Sequence, residues 1–345
     1  MSEQNVILGD AEYLLHRYNE QADLFHFLPV PRELHRNCTF ISDEHLPKNL
    51  AVSQVSRAEL GNYAVKAAPV HFIFHSAYCC STMLARVFDI PGTSMGLNEP
   101  VILNDMIGWT RRGASEAQRN AVLDQALNFL SRPFGEDRSV VIKPSNICTP
   151  LAIPMLRMQP ESKALLLYAP IESFLQSIAK KEMWGRIWVR DVLLGTRQDG
   201  YLIGGFSEDD LLKLTDLQVA AVGWLSQHAA FANVIKIIGA DRVKTLDSDT
   251  FLARQKDVMH ALNDLYALNL DGAQIKELLS GPAFTSHSKL DQRAQDGAFD
   301  AKARKEEQLQ MAELHGAEIE MVSKWTAAVA GSQGIAMDIG SPLLA

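Results

Sequence analysis

The chain has 345 residues, of which 47% are hydrophobic and 21% are charged, a composition typical of globular proteins. Its net charge of −8 argues against nucleic acids and anionic membranes as general partners, and no apolar run is long enough to span a bilayer. The cysteines show no spacing typical of a metal site, so we expect no metal and a reducing compartment: Cys38, Cys79, Cys80 and Cys148. The first residues lack the basic and apolar stretches of a secretion signal, so a cytoplasmic location is predicted.

Residues 1–69 mix polar, aromatic and proline positions, with a break at Pro29-Val30-Pro31. This pattern predicts short helices and loops that pack against the rest of the chain and help to cover a site there.

Residues 70–86 combine a buried strand, a short polar turn and the beginning of a helix. Val70-His71-Phe72-Ile73-Phe74 has the apolar character of a strand buried on both faces. Small polar residues and two adjacent cysteines follow, and an apolar helical face begins at Thr82. The first backbone N–H groups of a helix have no intrahelical partner and, with the helix dipole, can bind an anion. The stretch therefore predicts a phosphate site, unless Ser81 and Thr82 simply cap the helix.

Later segments alternate between predicted strands and predicted helices. The predicted strands are residues 139–143, 164–168 and 242–246. The predicted helices are Glu116–Leu130, one from an N-cap at Ser207 to Gly239, one from Asp249 or Thr250 to about Leu268, one ending at Gly281-Pro282, and residues 300–330. The final Gly/Ser/Pro stretch is expected to fray. Such alternation predicts a single α/β domain over residues 1–345, with a core at about 70–270 and helical or loop additions at 1–69 and 271–345.

The polar turn departs from the G-x-x-x-x-G-K-[ST] phosphate loop, because His75 and Cys80 replace its glycines and Ser81 its lysine. It is closer to the loop of the sulfotransferases, which typically reads Lys/Arg-Ser-Gly-Ser/Thr-Thr. Ser81-Thr82-Met83-Leu84 matches the closing Ser-Thr-x-Leu of that loop. Tyr78 stands at its basic residue, while Cys79 and Cys80 stand at its serine and glycine.

Three further segments follow in the order found in these enzymes. Val141-Ile142-Lys143-Pro144 looks like their strand that ends in lysine, the segment 166–172 like their Arg-Asp-Pro segment, and the segment 245–249 like their Tyr-Glu-Asp-Leu strand end. Over residues 70–270 the chain thus resembles the P-loop sulfotransferases that use 3′-phosphoadenylylsulfate. The resemblance implies a three-layer α/β fold with a parallel sheet. It also implies transfer of a sulfuryl group from that nucleotide to a hydroxyl of a small molecule or glycan.

The resemblance assigns roles to individual residues. Glu99 stands where some members carry a catalytic glutamate and is the expected general base, and Lys143 is the expected electrostatic stabiliser. Ser145 stands where other members carry a histidine, which favours Glu99 further. The expected nucleotide-binding residues are His75, Tyr78, Cys79, Cys80, Ser81, Thr82 and Ser177.

Several of these residues also have structural interpretations. Glu99 before a proline suits an ordinary turn, and Lys143 at a strand end suits a solvated charge. His75 is consistent with a hydrogen-bonded structural histidine. Cys79 and Cys80 fit either a redox switch or small buried side chains.

The main departure from the family is Tyr168, where these enzymes carry an arginine for the 3′-phosphate of the nucleotide. Compensating charge is available on residues elsewhere, namely Lys180, Lys181, Arg186, Arg190, His287 and Lys289. The first four of these, with Trp184 and Trp188, either line a pocket or form a helix with a mixed face. The departure leaves open a non-catalytic protein that binds a nucleotide or phosphate on the same fold. A phosphotransferase is a further alternative, although the loop lacks its lysine.

Overall fold

A computed structural model describes residues 3–285 and 301–344 of the chain. Within these ranges the strands are β1 (Tyr13–Asn19), β2 (Leu24–Pro29), β3 (Ser53–Ser56), β4 (Val70–His75), β5 (Ser94–Asn98), β6 (Ser139–Lys143), β7 (Ala164–Tyr168) and β8 (Val243–Asp247). The first helices are α1 (Glu3–Gly9), α2 (Arg32–Asn37), α3 (Arg57–Gly61), α4 (Ser81–Val87), α5 (Ile102–Arg111), α6 (Glu116–Leu130), α7 (Ala152–Met158) and α8 (Ile171–Lys180). The later helices are α9 (Glu182–Gln198), α10 (Glu208–Lys213), α11 (Asp216–Ile238), α12 (Ser248–Ala253), α13 (Gln255–Leu265), α14 (Gly272–Ser280), α15 (Pro282–Thr285) and α16 (Ala301–Gln333). A 3-10 helix, Asn146–Leu151, precedes α7.

The main sheet has five parallel strands in the order β5-β6-β4-β7-β8, so the predicted phosphate-site strand β4 lies at its centre. Successive residues of β4 face opposite hydrophobic cores: Phe72 and Phe74 belong to one, and Ile73 to the other. Helices α5, α6 and α7 contribute to the first core, and α4, α8 and α13 to the second. The predicted α/β fold, with a parallel sheet between two helical layers, is confirmed. The carboxyl ends of all five strands lie at one edge of this sheet.

The prediction of only short helices and loops before residue 70 is wrong for most of that region. Strands β1, β2 and β3 form an antiparallel sheet, and only short helices accompany it. Phe25 and Phe27 are fully buried, and Phe27 packs edge-on against Phe129 of α6 at 5.8 Å. The register of β1 shifts between Leu15 and Arg17. This bulge interrupts the two-residue alternation by which a strand is recognised in a sequence.

A buried arginine joins this small sheet to the main domain. The Arg132 guanidinium donates hydrogen bonds to the carbonyls of Ile7, Leu8 and Asp10 at 3.0, 2.9 and 2.7 Å. It also lies 5.2 Å from the ring centroid of Phe129. Burial lowers the pKa of Arg132 to about 10, which leaves the side chain charged at neutral pH.

The predicted long helix that begins after Ser207 is two helices in the structure. Ser207 does cap α10, but the backbone at Leu214 is extended, with φ −66° and ψ 138°. Thr215 then caps α11 by accepting a hydrogen bond from Gln218 N. The helix predicted to reach about Leu268 is also two helices. Asp247, rather than Asp249 or Thr250, caps α12, and a separate α13 follows. A local cap at Thr215 therefore divides the first predicted helix, and the non-helical backbone at Arg254, with φ −126° and ψ 39°, divides the second.

The C-terminal tail, expected to fray, pairs with the edge of the main sheet. Thr245 N donates to Ser341 O at 2.8 Å, and Leu343 N donates to Thr245 O at 2.8 Å. This pairing brings the tail beside β8. In the parts of the chain that the structure describes, no helix has the length and apolar character required to cross a bilayer.

Candidate functional site

A cavity of about 260 Å³ lies at the carboxyl end of β4, where strands of a parallel α/β sheet commonly bind ligands. Its walls include most of the predicted site residues, namely His75, Tyr78, Cys80, Ser81, Thr82 and Glu99. The other lining residues are Phe40, Ala77, Ser145 and Asn146, which had no predicted role, and Trp184 and Trp188, for which a pocket was one of two interpretations. The structure thus brings together residues from the loop after β4, the turn after β5 and the turn after β6.

The loop after β4 has an unusual backbone. Ala77, Tyr78 and Cys80 have φ of 65°, 52° and 63°, a left-handed conformation that costs a residue other than glycine about 1–2 kcal/mol. Ser76 holds the loop to β7, because its N donates to Leu167 O at 3.0 Å and its Oγ accepts from Ala169 N at 3.1 Å. A left-handed residue next to a right-handed one can turn successive N–H groups toward one side, an arrangement that binds anions, and Cys80 followed by the helical Ser81 is such a pair. Strained backbone of this kind is typical of functional loops.

The loop leads directly into α4. Cys80 occupies the N-cap position and its side chain forms no capping bond, so neither Ser81 nor Thr82 serves as the cap. Ser81 and Thr82 are instead in the first turn, buried, with both residues on the cavity wall. The N–H groups of that turn have no intrahelical acceptor. Backbone and hydroxyl donors therefore meet at one end of the cavity.

Glu99, another residue of the cavity wall, belongs to a buried ion pair. Lys143, the last residue of β6, is fully buried, and its Nζ donates a hydrogen bond to Glu99 Oε1. Glu99 follows β5 directly; its φ is 55°, and its N donates to Lys143 O at 2.7 Å. The Glu99 side chain keeps 19% exposure, so its carboxylate faces the cavity. Lys143 is thus a buried charge with a partner, which corrects the alternative of a solvated charge.

Phe40, from the N-terminal region, covers this ion pair. Lys143 Nζ lies 5.3 Å from the centroid of the Phe40 ring. The segment is held in place by Ile41 N, which donates to Asn98 O at 2.8 Å, and by Val101 N, which donates to Ile41 O at 3.0 Å. The N-terminal region therefore helps to cover the site, as predicted. No local signal in the sequence marks Phe40, because its contacts are with distant segments.

His75 has a defined hydrogen-bond pattern. Ala77 N donates to His75 Nδ1 at 3.1 Å, so the proton lies on Nε2, which is 3.1 Å from the acceptor Pro144 O. His75 Nε2 is also 3.6 Å from Glu99 Oε1. These contacts tie the loop after β4 to the turn after β6. They support the structural interpretation of His75, and its role in binding a nucleotide stays a prediction.

Of the two adjacent cysteines, Cys79 is poorly suited to redox chemistry, whereas Cys80 is partly exposed and lines the cavity. Cys79 is fully buried, it does not line the cavity, and burial raises the pKa of its thiol to about 11. Its Sγ donates to Leu167 O at 3.5 Å. Because the thiolate is the reactive form, Cys79 fits the interpretation of a small buried side chain.

Ser177 lies away from this cavity. It is on α8, where its Oγ donates to Ser173 O of the same helix at 2.8 Å, and it is not among the cavity-lining residues. Its assignment to nucleotide binding has no support in the geometry.

Tyr168, at the position of the family's arginine, lies among carboxylates. Burial first, and then the charges of Asp247 and Asp338, raise the pKa of Tyr168 to about 12. The other neighbour is His228, whose ring centroid is 4.9 Å from that of Tyr168. Burial lowers the pKa of His228 to about 3, so it is neutral at physiological pH. A neutral hydroxyl beside two carboxylates does not fit the 3′-phosphate of a nucleotide.

The proposed compensating residues have other partners. Arg186 and Arg190 both bind Asp216 of α11, at 3.3 and 2.9 Å. Lys181 Nζ lies 5.8 Å from the ring centroid of Trp184, and Lys180 ends α8. His287 and Lys289 lie outside the described residues. None of the described candidates supplies a charge to Tyr168.

The two tryptophans of α9 do line the cavity. Trp184 and Trp188 stack with centroids 6.4 Å apart and an interplanar angle of 15°. Trp188 packs edge-on against Tyr78 at 5.2 Å, and Trp184 is 59% exposed. The interpretation that α9 lines a pocket is correct for these tryptophans. The arginines of α9 instead form ion pairs with Asp216.

No protein-family model matches the chain, and no curated protein matches it in sequence. Solved structures with a similar fold are sulfotransferases. A sulfotransferase from Mycobacterium avium is 12% identical, with 75% of this chain and 79% of that chain covered and a TM-score of 0.41. The sulfotransferase domain of the Synechococcus olefin synthase is 12% identical, with coverages of 73% and 96% and a TM-score of 0.40. The sulfotransferase domain from the curacin biosynthetic pathway is 11% identical, with coverages of 73% and 99% and a TM-score of 0.39. At these identities the likeness concerns the fold alone.

Proposed function

We propose that this chain is an enzyme that transfers a sulfuryl group from a phosphosulfate donor to a hydroxyl of a small molecule or glycan. One observation carries the proposal: Glu99, which is ion-paired with the fully buried Lys143 behind it, lines the same cavity as the loop after β4. A donor for an anion, a buried cation and a partly exposed carboxylate are the groups that this reaction needs. A cytoplasmic location, and the absence of nucleic-acid and membrane partners, stay predictions.

The loop and the first turn of α4 would hold the anionic end of the donor. Their backbone N–H groups, with the hydroxyls of Ser81 and Thr82, supply hydrogen bonds to phosphate or sulfate oxygens. The ammonium of Lys143 adds positive charge within a region from which water is largely excluded, so its effect on a nearby anion is large. The stacked tryptophans offer a flat apolar surface to an aromatic ring of the donor or the acceptor.

Glu99 would act as the general base. Its carboxylate is held by Lys143 through Oε1, and Oε2 has no hydrogen-bond partner among the described residues. In the reaction the acceptor oxygen attacks sulfur and its proton passes to Glu99. The bond between sulfur and the bridging oxygen breaks, and the electron pair stays on the released phosphate. The reaction needs no oxidant or reductant, and we expect no metal requirement.

The nature of the donor beyond its phosphosulfate group is a separate matter. The resemblance implies 3′-phosphoadenylylsulfate, but the surroundings of Tyr168 do not fit the 3′-phosphate. The roles assigned above to the loop, Lys143 and Glu99 do not depend on that phosphate. The proposed function therefore stands for any phosphosulfate that reaches the loop.

The proposal is tested by label transfer. Purified protein is incubated with radiolabelled 3′-phosphoadenylylsulfate, and separately with radiolabelled adenylyl sulfate, together with phenols, alcohols and monosaccharides as acceptors. We expect transfer that falls by about 10²–10⁴-fold in Glu99→Gln, because the base is lost. The control Glu44→Gln, an exposed carboxylate, should retain full activity. Undiminished transfer by Glu99→Gln would remove Glu99 from the mechanism.

A second candidate is a non-catalytic protein that binds a nucleotide or phosphate in the same cavity. The observation in its favour is that Lys143 and Glu99 neutralise each other, as in a purely structural ion pair. This candidate predicts binding of nucleotides by the wild-type protein without transfer to any acceptor in the panel.

A further inference from the structure

A second cavity, of about 630 Å³, lies between α6, α7 and α11. It shares no lining residue with the cavity at the loop, although both touch the segment around the 3-10 helix. Its wall combines aliphatic side chains with polar and charged ones, among them Arg119, Arg157 and Glu116.

Arg119 is an unusual member of this wall. The residue is only 7% exposed, and its Nε and Nη2 both donate to the neutral amide oxygen Asn120 Oδ1, at 3.1 and 2.9 Å. Among the residues whose side chains the structure describes, Arg119 has no carboxylate within ion-pair distance, although the charge of Glu116 in the first turn of α6 acts on it from farther away. Burial lowers the pKa of Arg119, although the guanidinium remains charged. A largely covered guanidinium whose carboxylate neighbour Glu116 is exposed and beyond ion-pair distance would be stabilised by an anion beside it.

Arg157 contributes a second guanidinium. It is in the last turn of α7, is exposed, and has no carboxylate within ion-pair distance in the described part of the chain. The carboxylate of Asp199 is already bound by Arg111, whose Nε and Nη2 donate to it at 2.8 and 2.7 Å. Glu116, exposed in the first turn of α6, is then the remaining acid of the wall. The free charge facing the cavity is therefore mainly positive.

Part of the remaining wall is apolar, and the cavity is large enough for a small organic molecule. Ile107, Ile153, Met158 and Val234 present aliphatic surface, and the volume lies in the range of ordinary ligand pockets. An inorganic ion alone would leave this surface in water. A ligand with an apolar body and one anionic group would cover the aliphatic surface and accept hydrogen bonds from the two guanidinium groups.

We propose that this cavity binds a small molecule that carries a carboxylate, sulfonate or phosphate group on an apolar body, with Arg119 and Arg157 as the anion-binding residues. The site is independent of the sulfuryl-transfer proposal, because none of its residues takes part in the loop cavity.

The test is calorimetry of the full-length protein with benzenesulfonate, benzoate and phenyl phosphate, and with benzyl alcohol as the uncharged counterpart. We expect at least one anion to bind more tightly than benzyl alcohol by about tenfold or more. Comparison of the three affinities shows whether the site prefers a sulfonate, a carboxylate or a phosphate group. Arg119→Gln and Arg157→Gln should each weaken that anion by about tenfold. Arg254→Gln removes an exposed guanidinium paired with Asp257 elsewhere on the surface and should leave binding unchanged.

Two further measurements show where the anion binds and whether the variants are folded. Thr82→Val alters the loop cavity and should not change binding of the anion. Unfolding curves that coincide for wild type and Arg119→Gln would show that the variant is folded. The proposal is overturned if no anion binds at millimolar concentration, if benzyl alcohol binds as well as the anions, or if folded Arg119→Gln and Arg157→Gln bind them with wild-type affinity.

Discussion

The carboxyl edge of the main sheet has two halves that differ in charge. In the half formed by β4, β5 and β6, the strands lead into His75, Glu99 and Lys143. His75 and Glu99 line a cavity together with the predicted anion-binding loop, and Lys143 is buried behind Glu99. In the half formed by β7 and β8, the last residues are Tyr168 and Asp247, which are paired in register. The strands run in one direction throughout, so the fold alone does not make a phosphate site. The residues at and just beyond the strand ends decide which half can bind an anion.

This difference also separates the parts of the resemblance that the structure supports. The loop, the lysine at the end of β6 and the glutamate after β5 come together as expected. The position at the end of β7 where the family carries an arginine differs from that expectation, because Tyr168 stands there near the carboxylates of Asp247 and Asp338. A match in the order of motifs therefore predicts the position of each segment better than the ligand it binds.

The largest effect on stability is expected at the ion pair in the first half of the edge. Glu99→Gln leaves the fully buried ammonium of Lys143 without a counter-charge, and we expect a loss of about 3 kcal/mol in the free energy of unfolding. Lys143→Met leaves a carboxylate that is 19% exposed and able to meet water, so its loss should be smaller. Urea titrations of the two variants and of the double variant measure this asymmetry. Equal losses would mean that the ammonium is hydrated and that the first half is less closed than described.

A somewhat smaller effect is expected where α4 approaches β5. A Cβ on Gly96 would lie 2.1 Å from the carbonyl oxygen of Ala85, so Gly96→Ala must displace α4 and with it the loop. We expect a loss of about 1–3 kcal/mol in the free energy of unfolding. The matched control is Gly316→Ala in α16, where a Cβ meets no atom within 4 Å and a gain of about 1 kcal/mol is expected. Thermal unfolding of both variants gives the comparison, and an unaffected Gly96→Ala would contradict the close packing of α4 on β5.

The effect that is smallest at neutral pH concerns the second half, where His228 lies beside Tyr168. Its Nε2 is buried without a hydrogen-bond partner in the described residues, and burial lowers its pKa from 6.5 to about 3. The unfolded chain therefore binds a proton below pH 6.5 that the folded chain does not. Stability from this group is complete above pH 6.5 and falls toward pH 3, by at most about 1.4 kcal/mol per pH unit.

His228→Phe removes this titration and should flatten the pH dependence of the unfolding free energy below pH 6.5 by about that slope. His260→Phe on α13, an exposed position, serves as the control. An unchanged slope in His228→Phe would mean that His228 is protonated in the folded protein and adds a cation near Tyr168.

Much of the main sheet is predictable from the sequence because its strands are fully buried. β6 and β7 have the predicted bounds, since each is an apolar run followed directly by Pro144 or by Ala169-Pro170. β1 is not recognisable in the sequence, because its bulge breaks the two-residue alternation. The break before α11 is not recognisable either, because threonine, the residue type that caps this helix at Thr215, also occurs within helices. Signals confined to a few neighbouring residues predict elements, but not where one helix gives way to the next.

The site is predictable only in part, for a similar reason. The loop residues and the last residue of a buried strand are recognisable from their local sequence. Phe40 is not, because it reaches Lys143 through backbone contacts such as Ile41 N to Asn98 O. The carboxylate of Asp338 near Tyr168 was equally unpredictable, because it comes from a tail that was expected to fray.

The most direct test of the contrast between the two halves is nucleotide binding. We would measure by calorimetry, without added metal, the affinities of adenosine 5′-phosphate and adenosine 3′,5′-bisphosphate for wild type and Thr82→Val. We expect both nucleotides to bind, with affinities within about threefold of each other, and both to be weakened by Thr82→Val. A bisphosphate that binds about tenfold more tightly would show that a 3′-phosphate site exists despite Tyr168, and absence of binding by either nucleotide would contradict the loop as a nucleotide phosphate site.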